Sequence, residues 1–176
     1  MDIETLKACT GATDNDAAKY ADLLDTALAD FDINSPQRIA SFLSQVGWES
    51  GHLHYVKEIW GPTEAQSSYE GRSDLGNTES GDGRRFLGRG LLQVTGRANY
   101  TTIGEALATD FVSNPELLEE PDYALRSACY FWKKHGLNEL ADNDQFEDIT
   151  RRINGGLNGY SGRLALYQSA KKVLGV

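Results

Sequence analysis

The stretch SPQRIASFLSQVGWESG, residues 35–51, has the pattern of an amphipathic helix that ends at a carboxylate. Ser35 followed by Pro36 is a favourable start, because serine caps a helix and proline suits its first turn. Gly51 marks the end, one turn after the last apolar position. The sequence therefore predicts a helix over 36–49 whose final residue is Glu49.

The face on which Glu49 lies is the informative part of this helix. At helical spacing Phe42, Val46 and Glu49 share one stripe, with Ile39 on its flank. A carboxyl group among apolar side chains keeps its proton to higher pH, as a general acid requires. Glu49 is therefore a candidate general acid, and the alternative is that the helix frays at Gly51 and the side chain turns to water.

The composition indicates one compact domain. The chain has 176 residues, of which 40% are hydrophobic, and this is enough for a real core with a smaller lobe packed on it. No apolar run approaches the roughly 20 residues needed to cross a bilayer, and the N-terminus MDIETLKACTG lacks the features of a signal peptide. We expect a cytoplasmic chain without membrane insertion, in which Cys9 and Cys129 are unpaired core residues.

Charge is unevenly distributed along the chain, whose formal net charge is −9. Residues 1–34 hold eight acids against two lysines, which is most simply a solvated helix face. Residues 72–97 hold five arginines against three acids, so this segment is the place to meet an anionic or hydroxylated ligand. A local excess of this size is too weak to indicate nucleic-acid binding.

Helical periodicity and capping residues predict a mainly α domain. The predicted helices cover residues 16–31, 36–49, 99–108, 121–135, 146–153 and 161–174. The segment from Trp60 to Gly96 contains eight glycines and Pro62 and is expected to form loops and a short hairpin. We therefore predict a single catalytic domain, 1–176, with an inserted loop-rich lobe at about 60–96.

Motifs for bound cofactors are absent from the sequence. Neither a phosphate-binding loop nor a dinucleotide fingerprint is present. His52, His54 and His135 could supply three zinc ligands, but no HExxH motif or ligand-spaced carboxylate accompanies them. We expect neither a metal nor an organic cofactor.

Further glutamates follow Glu49, and a glycosidase needs two carboxyl groups in different environments. Glu58 lies between Lys57, which could keep it ionised, and Trp60, whose ring offers a face for a sugar. The alternative for Glu58 is a surface glutamate paired with lysine. Glu64 and Glu70 come next.

Three separated runs resemble glycoside hydrolase family 19, and in particular the short bacteriophage endolysins of that chitinase-like family. They are VGWESG around Glu49, RFLGRGLLQVTGRANY at 85–100 and RINGGLNGYSGRLALY at 152–167. The resemblance extends, with gaps, from about Ser35 to the C-terminus. It implies a lysozyme-like, two-lobed domain with a cleft between a helical lobe and a small glycine-rich lobe.

The resemblance also implies roles for individual residues. Glu49 would be the general acid, Glu58 the base that activates water, and Thr95 a hydroxyl that holds this water. Arg163 would orient a catalytic carboxylate through a two-pronged hydrogen bond. The predicted substrate-binding residues are Trp60, Gln93, Asn99, Tyr100, Asn154, Arg163 and Tyr167.

Two departures from the family pattern stand out. Trp48 occupies the position where the family usually has histidine before the catalytic glutamate. The segment after Glu58 reads IWGPTEAQ, unlike the plant chitinases, so Glu64 and Glu70 stay open as alternative bases.

The expected reaction is hydrolysis of β-1,4 bonds between amino sugars of peptidoglycan strands, with inversion at the anomeric carbon. Inversion requires the two carboxyl groups to lie roughly 6.5–9.5 Å apart. A monomer would wait in the host cytoplasm, and a holin would give it access to the periplasm and cell wall. The alternatives are a chitinase acting on chitin oligomers and a catalytically inactive wall-binding protein.

Overall fold

The computed structural model describes all 176 residues and is mainly helical, which confirms the predicted fold class. The eleven α-helices are α1 (Ile3–Thr10), α2 (Asp14–Ala18), α3 (Ala21–Asp30), α4 (Pro36–Glu49), α5 (Glu64–Ser67), α6 (Asp82–Arg85), α7 (Arg97–Leu107), α8 (Pro121–Lys134), α9 (Leu137–Asp142), α10 (Phe146–Asn154) and α11 (Tyr160–Leu174). Two short 3₁₀ turns cover Ser73–Leu75 and Pro115–Glu119.

The helix predictions differ in accuracy. Helix α4 has the predicted bounds, and the Ser35 side chain accepts a hydrogen bond from the Arg38 backbone N–H as an N-cap. The predicted helix over 16–31 is wrong, because it divides into α2 and α3 near Tyr20. Helices α1 and α9 were not predicted, since each is too short to show a clear period.

The chain divides into two compact units. The helical unit comprises Met1–His54 and Cys129–Val176, and the loop-rich unit comprises Tyr55–Ala128. The loop-rich unit therefore extends beyond the predicted insertion at 60–96, because α7 and the 3₁₀ turn at Pro115–Glu119 belong to it. The division falls within α8.

In the helical unit, α4 packs against α11, α1 and α9. Phe42 and Val46 are fully buried, and the Phe42 ring meets the Trp132 ring edge to face at 5.4 Å. Cys9 and Cys129 are buried and are not joined in a disulfide, as predicted.

The loop-rich unit has no regular strand. Instead, residue 57 pairs with residue 89 and residue 89 with residue 94 in isolated antiparallel bridges. Backbone hydrogen bonds of 2.8 and 2.9 Å join Glu58 N to Gly88 O and Gly90 N to Val56 O. This short ladder takes the place of the expected hairpin and fixes the position of Glu58.

No helix in the chain is long and apolar enough to span a membrane.

Candidate active site

Glu49 ends α4 and is held by an arginine from α11. The Arg163 Nη2 donates to Glu49 Oε1 at 2.5 Å, and the Glu49 side chain is 26% exposed. The prediction that Glu49 lies among apolar side chains is therefore wrong, because the guanidinium of Arg163 binds it. Glu49 Oε2 makes no hydrogen bond and stays available.

Arg163 is buried and its donors are shared among protein groups. Nη1 donates to Gln45 Oε1 at 2.7 Å, and Nε donates to the Asn158 carbonyl at 3.0 Å. Gln45 in turn donates to Thr150 Oγ1 at 2.7 Å. The predicted two-pronged bond to a carboxylate is thus a single bond to Glu49, and the buried Arg163 positions this carboxylate.

Trp48 precedes Glu49 and packs against the start of α11. Its ring lies so close to Gly159 and Gly162 that a Cβ on either glycine would approach ring atoms to 2.3 and 2.0 Å. A side chain at either of these two positions would require the indole to move. The lack of side chains at Gly159 and Gly162 therefore leaves room for the indole of Trp48, which is 37% exposed.

Asn154 and Tyr167, the other predicted contacts in the helical unit, are in different situations. Asn154 ends α10, and its Nδ2 is buried without a hydrogen-bond partner. Tyr167 is only 4% exposed, donates to Asp144 at 2.7 Å and stacks on Phe146. Burial and the Asp144 carboxylate raise the pKa of Tyr167 to about 12. The Tyr167 hydroxyl is therefore used within the protein, and its contact with a substrate stays a prediction.

Glu58 is held by three neutral donors in the loop-rich unit. Gln66 Nε2 and the Tyr69 hydroxyl donate to Oε1 at 3.0 and 3.1 Å, and the Gly88 N–H donates to Oε2 at 3.0 Å. The pKa of Tyr69 is raised by burial and by the negative charge of Glu58. These bonds fix the orientation of the carboxylate, which is half-buried.

Gln66 organises the segment around Glu58. It is 4% exposed, and its Oε1 accepts from the backbone N–H groups of Gly61 and Thr63 at 3.0 and 2.8 Å. Its Nε2 also donates to the Ile59 carbonyl at 2.8 Å. The Gln66 side chain therefore connects the backbone of residues 59–63 to the Glu58 carboxylate.

Gln93 and Thr95 lie next to Gly88, whose N–H donates to Glu58. A Cβ on Gly88 would lie 2.2 Å from Gln93 Oε1 and 3.2 Å from Thr95 Oγ1, so both side chains pack over this glycine. Since the Gly88 N–H donates to Glu58, the side chains of Glu58, Gln93 and Thr95 all lie next to Gly88. Asn99 belongs to the same cluster, because its Nδ2 donates to the Thr95 carbonyl at 2.8 Å.

Tyr100 does not join this cluster. It is fully buried, donates to the Leu87 carbonyl at 2.6 Å and accepts from Arg89 at 2.9 Å. Burial raises the pKa of Tyr100 to about 12. The helical period of α7 turns Tyr100 to the core, and its contact with a substrate stays a prediction.

The two alternative bases are arranged differently from Glu58. Both carboxylate oxygens of Glu70 accept backbone N–H groups, from Gly81 at 2.7 Å and Gly83 at 2.9 Å. Glu64 lies exposed in the first turn of α5, where its charge favours the helix terminus. Glu70 thus acts as a loop brace and Glu64 as a helix-end charge.

A cationic cavity lies on the same ladder as Glu58. It measures about 510 Å³, and Trp60 forms part of its wall and also contacts the Tyr69 ring, with 6.4 Å between centroids. Its charged lining residues are Lys57, Arg84, Arg85, Arg89 and Glu116. No cluster of three or more histidine, cysteine or acidic side chains could hold a metal ion.

Sequence reasoning missed Gln45, Gln66 and Tyr69, which hold the two glutamates. The pattern Thr63-x-x-Gln66 is a capping box, with both reciprocal bonds present, and this signal could have indicated a structured turn. Nothing in the sequence indicates that Gln66 also reaches Glu58.

Each unit thus holds one glutamate in a fixed orientation, as expected of a glycoside hydrolase with a lysozyme-like helical fold. A family model for class I chitinases matches residues 16–142. The chain belongs to glycoside hydrolase family 19.

Curated relatives agree with this assignment. A family 19 domain-containing protein of Haemophilus influenzae is 38% identical over 105 residues, which are 60% of this chain and 50% of that protein. An endochitinase of Arabidopsis thaliana is 34% identical over 135 residues, 76% of this chain and 44% of the relative. The chain spans about half or less of the length of these relatives.

Solved structures share the fold. Chitinase C from Streptomyces griseus superposes with a TM-score of 0.77 at 22% identity, covering 99% of this chain and 76% of that one. A second bacterial family 19 chitinase gives 0.75 at 22% identity and is itself covered to 95%. The predicted lysozyme-like fold is therefore confirmed.

Proposed function

We propose that the protein hydrolyses β-1,4 bonds between amino sugars of peptidoglycan by a single displacement that inverts the anomeric carbon. The observation that carries this proposal is that two glutamates are each held in one orientation by hydrogen bonds. Glu49 is held by a buried cation, and Glu58 is held by three neutral donors. An inverting glycosidase needs two positioned carboxyl groups, and the family resemblance of the VGWESG run and of the segment at Glu58 assigns Glu49 as the acid and Glu58 as the base.

Glu49 acts as the general acid in this mechanism. Its Oε2, free of hydrogen bonds, carries the proton and gives it to the glycosidic oxygen as the bond from that oxygen to the anomeric carbon breaks. The carboxylate that remains is stabilised by Arg163 through a charge-assisted hydrogen bond. Arg163 also fixes the direction of the side chain, because Gln45 and Asn158 prevent the guanidinium from turning.

Glu58 acts as the general base. It takes a proton from a water molecule whose oxygen forms the new bond to the anomeric carbon on the face opposite the leaving group. Thr95 Oγ1, packed over Gly88 with Gln93, supplies a hydroxyl that positions this water. Gln93, Asn99, Trp60 and Asn154 are proposed to bind the sugar.

Peptidoglycan as substrate is supported by the resemblance of the runs at 85–100 and 152–167 to phage endolysins. The cationic cavity beside Lys57 and Trp60 adds support, because peptidoglycan carries carboxylates and chitin carries none. Chitin oligomers are the second candidate, since the plant relatives and the superposed bacterial structures bear the name chitinase. Use in host-cell lysis, with access through a holin, is part of the first proposal.

A direct comparison of substrates tests the proposal. Purified sacculi and chitin hexamers are digested with the wild type and with Glu49→Gln, and the products are examined by mass spectrometry and by NMR of the first-formed anomer. We expect new reducing ends from sacculi, initially α at the cleaved β bond, and none with the variant. Cleavage of chitin alone would transfer the assignment to the second candidate, and no new reducing end from either substrate would overturn both.

A further inference from the structure

We propose that the cationic cavity of the loop-rich unit binds a carboxylate of the peptide stem of peptidoglycan, an inference that rests on the proposed function. The cavity lies next to the residues that hold Glu58. Lys57 precedes Glu58 in the chain, and Arg89 follows Gly88, whose N–H donates to Glu58. A glycan strand bound at Glu58 would therefore place its substituents near this cavity.

The charge of the cavity contrasts with that of the unit around it. Residues 55–128 contain seven lysines and arginines against twelve aspartates and glutamates, a net charge of −5. The cavity lining nevertheless contains four cations and a single acid, Glu116. A concentration of positive charge in an acidic unit favours an anionic ligand at this place.

Two of the four cations share one carboxylate inside the protein. Arg89 Nε and Lys57 Nζ bind the same Glu119 oxygen at 2.7 and 3.0 Å. Burial alone would raise the pKa of Glu119, but these bonds hold it below the ordinary value, so Glu119 stays ionised. Arg89 and Lys57 are therefore engaged within the protein, and Glu119 balances only one of their two positive charges.

The remaining two cations are available to a ligand. Arg84 is exposed and makes no hydrogen bond or ion pair within the protein. Arg85 uses only Nη2, which donates to the carbonyls of Val112 and Ser113, and its other donors are unused. Two guanidinium groups with free donors thus line the cavity, and the planar fork of either one matches a carboxylate.

The wall of the cavity also suits what a stem carboxylate is attached to. Trp60, Leu87 and Pro115 contribute apolar surface beside the arginines. A stem peptide offers short apolar side chains next to its carboxylates, whereas a simple inorganic anion offers no such surface. The cavity therefore fits an acidic peptide better than a bare anion.

Binding of a soluble stem tripeptide, L-Ala-D-γ-Glu-meso-diaminopimelate, tests the proposal independently of catalysis. The full-length protein is titrated with the tripeptide and with its carboxyl-amidated form by NMR, and so are Arg84→Gln and the matched control Arg72→Gln. Arg72 is an exposed arginine of the same unit that does not line the cavity. We expect Arg84→Gln and amidation each to weaken binding about fivefold, without adding to each other, and Arg72→Gln to bind as the wild type does.

Several results would overturn the proposal. They are no binding of the tripeptide to the wild type, an equal loss in Arg72→Gln, additive losses for the variant and the amidated peptide, and inorganic phosphate binding as tightly as the tripeptide. A second arm measures hydrolysis of glycan strands with and without stems. Arg84→Gln should raise KM only for strands that carry stems. If the wild type binds the tripeptide but cleaves neither kind of strand, the proposed function fails while the cavity assignment stands.

Discussion

The two units hold their glutamates by opposite means. In the helical unit, Glu49 ends a fourteen-residue helix, and a buried arginine from another helix fixes it. In the loop-rich unit, Glu58 lies on an irregular segment, and hydrogen bonds from Gln66, Tyr69 and a backbone N–H fix it. Packing of long helices leaves room for one cation to orient a carboxylate, whereas a loop must be tied at many points to achieve the same rigidity.

The largest expected effect comes from the acid in the helical unit. Glu49→Gln keeps the size of the side chain and an oxygen for Arg163 but removes the proton that assists bond cleavage. We expect kcat on sacculi or chitin oligomers to fall by about 10³-fold. A substrate with a nitrophenyl leaving group, which needs less protonation, should recover part of this loss in Glu49→Gln but not in Glu58→Gln. Equal recovery in both variants would contradict the assignment of acid and base.

The second largest expected effect comes from Arg163, the buried cation that binds Glu49 in the helical unit. Arg163→Met removes the guanidinium and leaves Gln45 and Glu49 without their partner. We expect the free energy of unfolding, measured in urea, to fall by about 3 kcal/mol. Lys172→Met, an exposed lysine on the same helix, is the matched control and should change it little. Equal stability of the two variants would show that Arg163 does not hold α11 to α4.

A smaller effect concerns an ion pair that braces the loop-rich unit. Asp82 is 1% exposed and receives two hydrogen bonds from Arg97, at 2.8 and 2.7 Å, which hold the pKa of Asp82 below 3.8. A lowered folded-state pKa gives stability that is present above the unfolded-state value and is lost as pH falls through the folded-state value. Asp82→Asn should therefore lower the free energy of unfolding by about 2 kcal/mol at neutral pH.

The pH dependence of this difference is the critical measurement. Urea unfolding of the wild type and Asp82→Asn should give free energies that converge as pH is lowered below 3.8. Other acids titrate alike in both proteins, so the comparison isolates Asp82. A difference that does not change with pH would mean that shape, rather than charge, explains the loss.

The smallest expected effect comes from changing the hydrogen bond that Gln66 donates to Glu58 in the loop-rich unit. Gln66→Glu keeps an oxygen for Gly61 and Thr63 but loses the donor to Glu58 and adds a like charge. We expect kcat to fall about tenfold and the low-pH limb of its profile to move about one unit higher, since a like charge disfavours the ionised base. Tyr69→Phe removes a donor without adding charge and should leave that limb nearly in place. A profile that does not move in Gln66→Glu would contradict the role of Glu58.

The helical unit was more predictable from sequence than the loop-rich unit. The bounds of α4 follow from Ser35 and Pro36, because capping is local chemistry that neighbours in the chain reveal. The inward direction of Tyr100 and Tyr167 was missed, because a resemblance in sequence does not distinguish a cleft residue from one turned to the core. The role of Gln66 depends on contacts with a loop whose path no periodicity describes.

The setting of Glu49 was mispredicted for a related reason. The stripe of Phe42 and Val46 correctly indicated a buried face, but a stripe describes one helix and not the partner that covers it. Arg163 lies 114 residues further along the chain and reaches this face through the packing of α11. Only the family resemblance pointed to it.

Because Trp48 packs against Gly159 and Gly162, substitutions at these three positions affect one another. A histidine at residue 48, as the family usually has, would leave unfilled the space that the indole occupies against the two glycines. Conversely, any side chain at either glycine would collide with the indole. The three residues therefore constrain one another's substitution: Trp48→His would lose packing beside Glu49, and a larger residue at either glycine would require the indole to move.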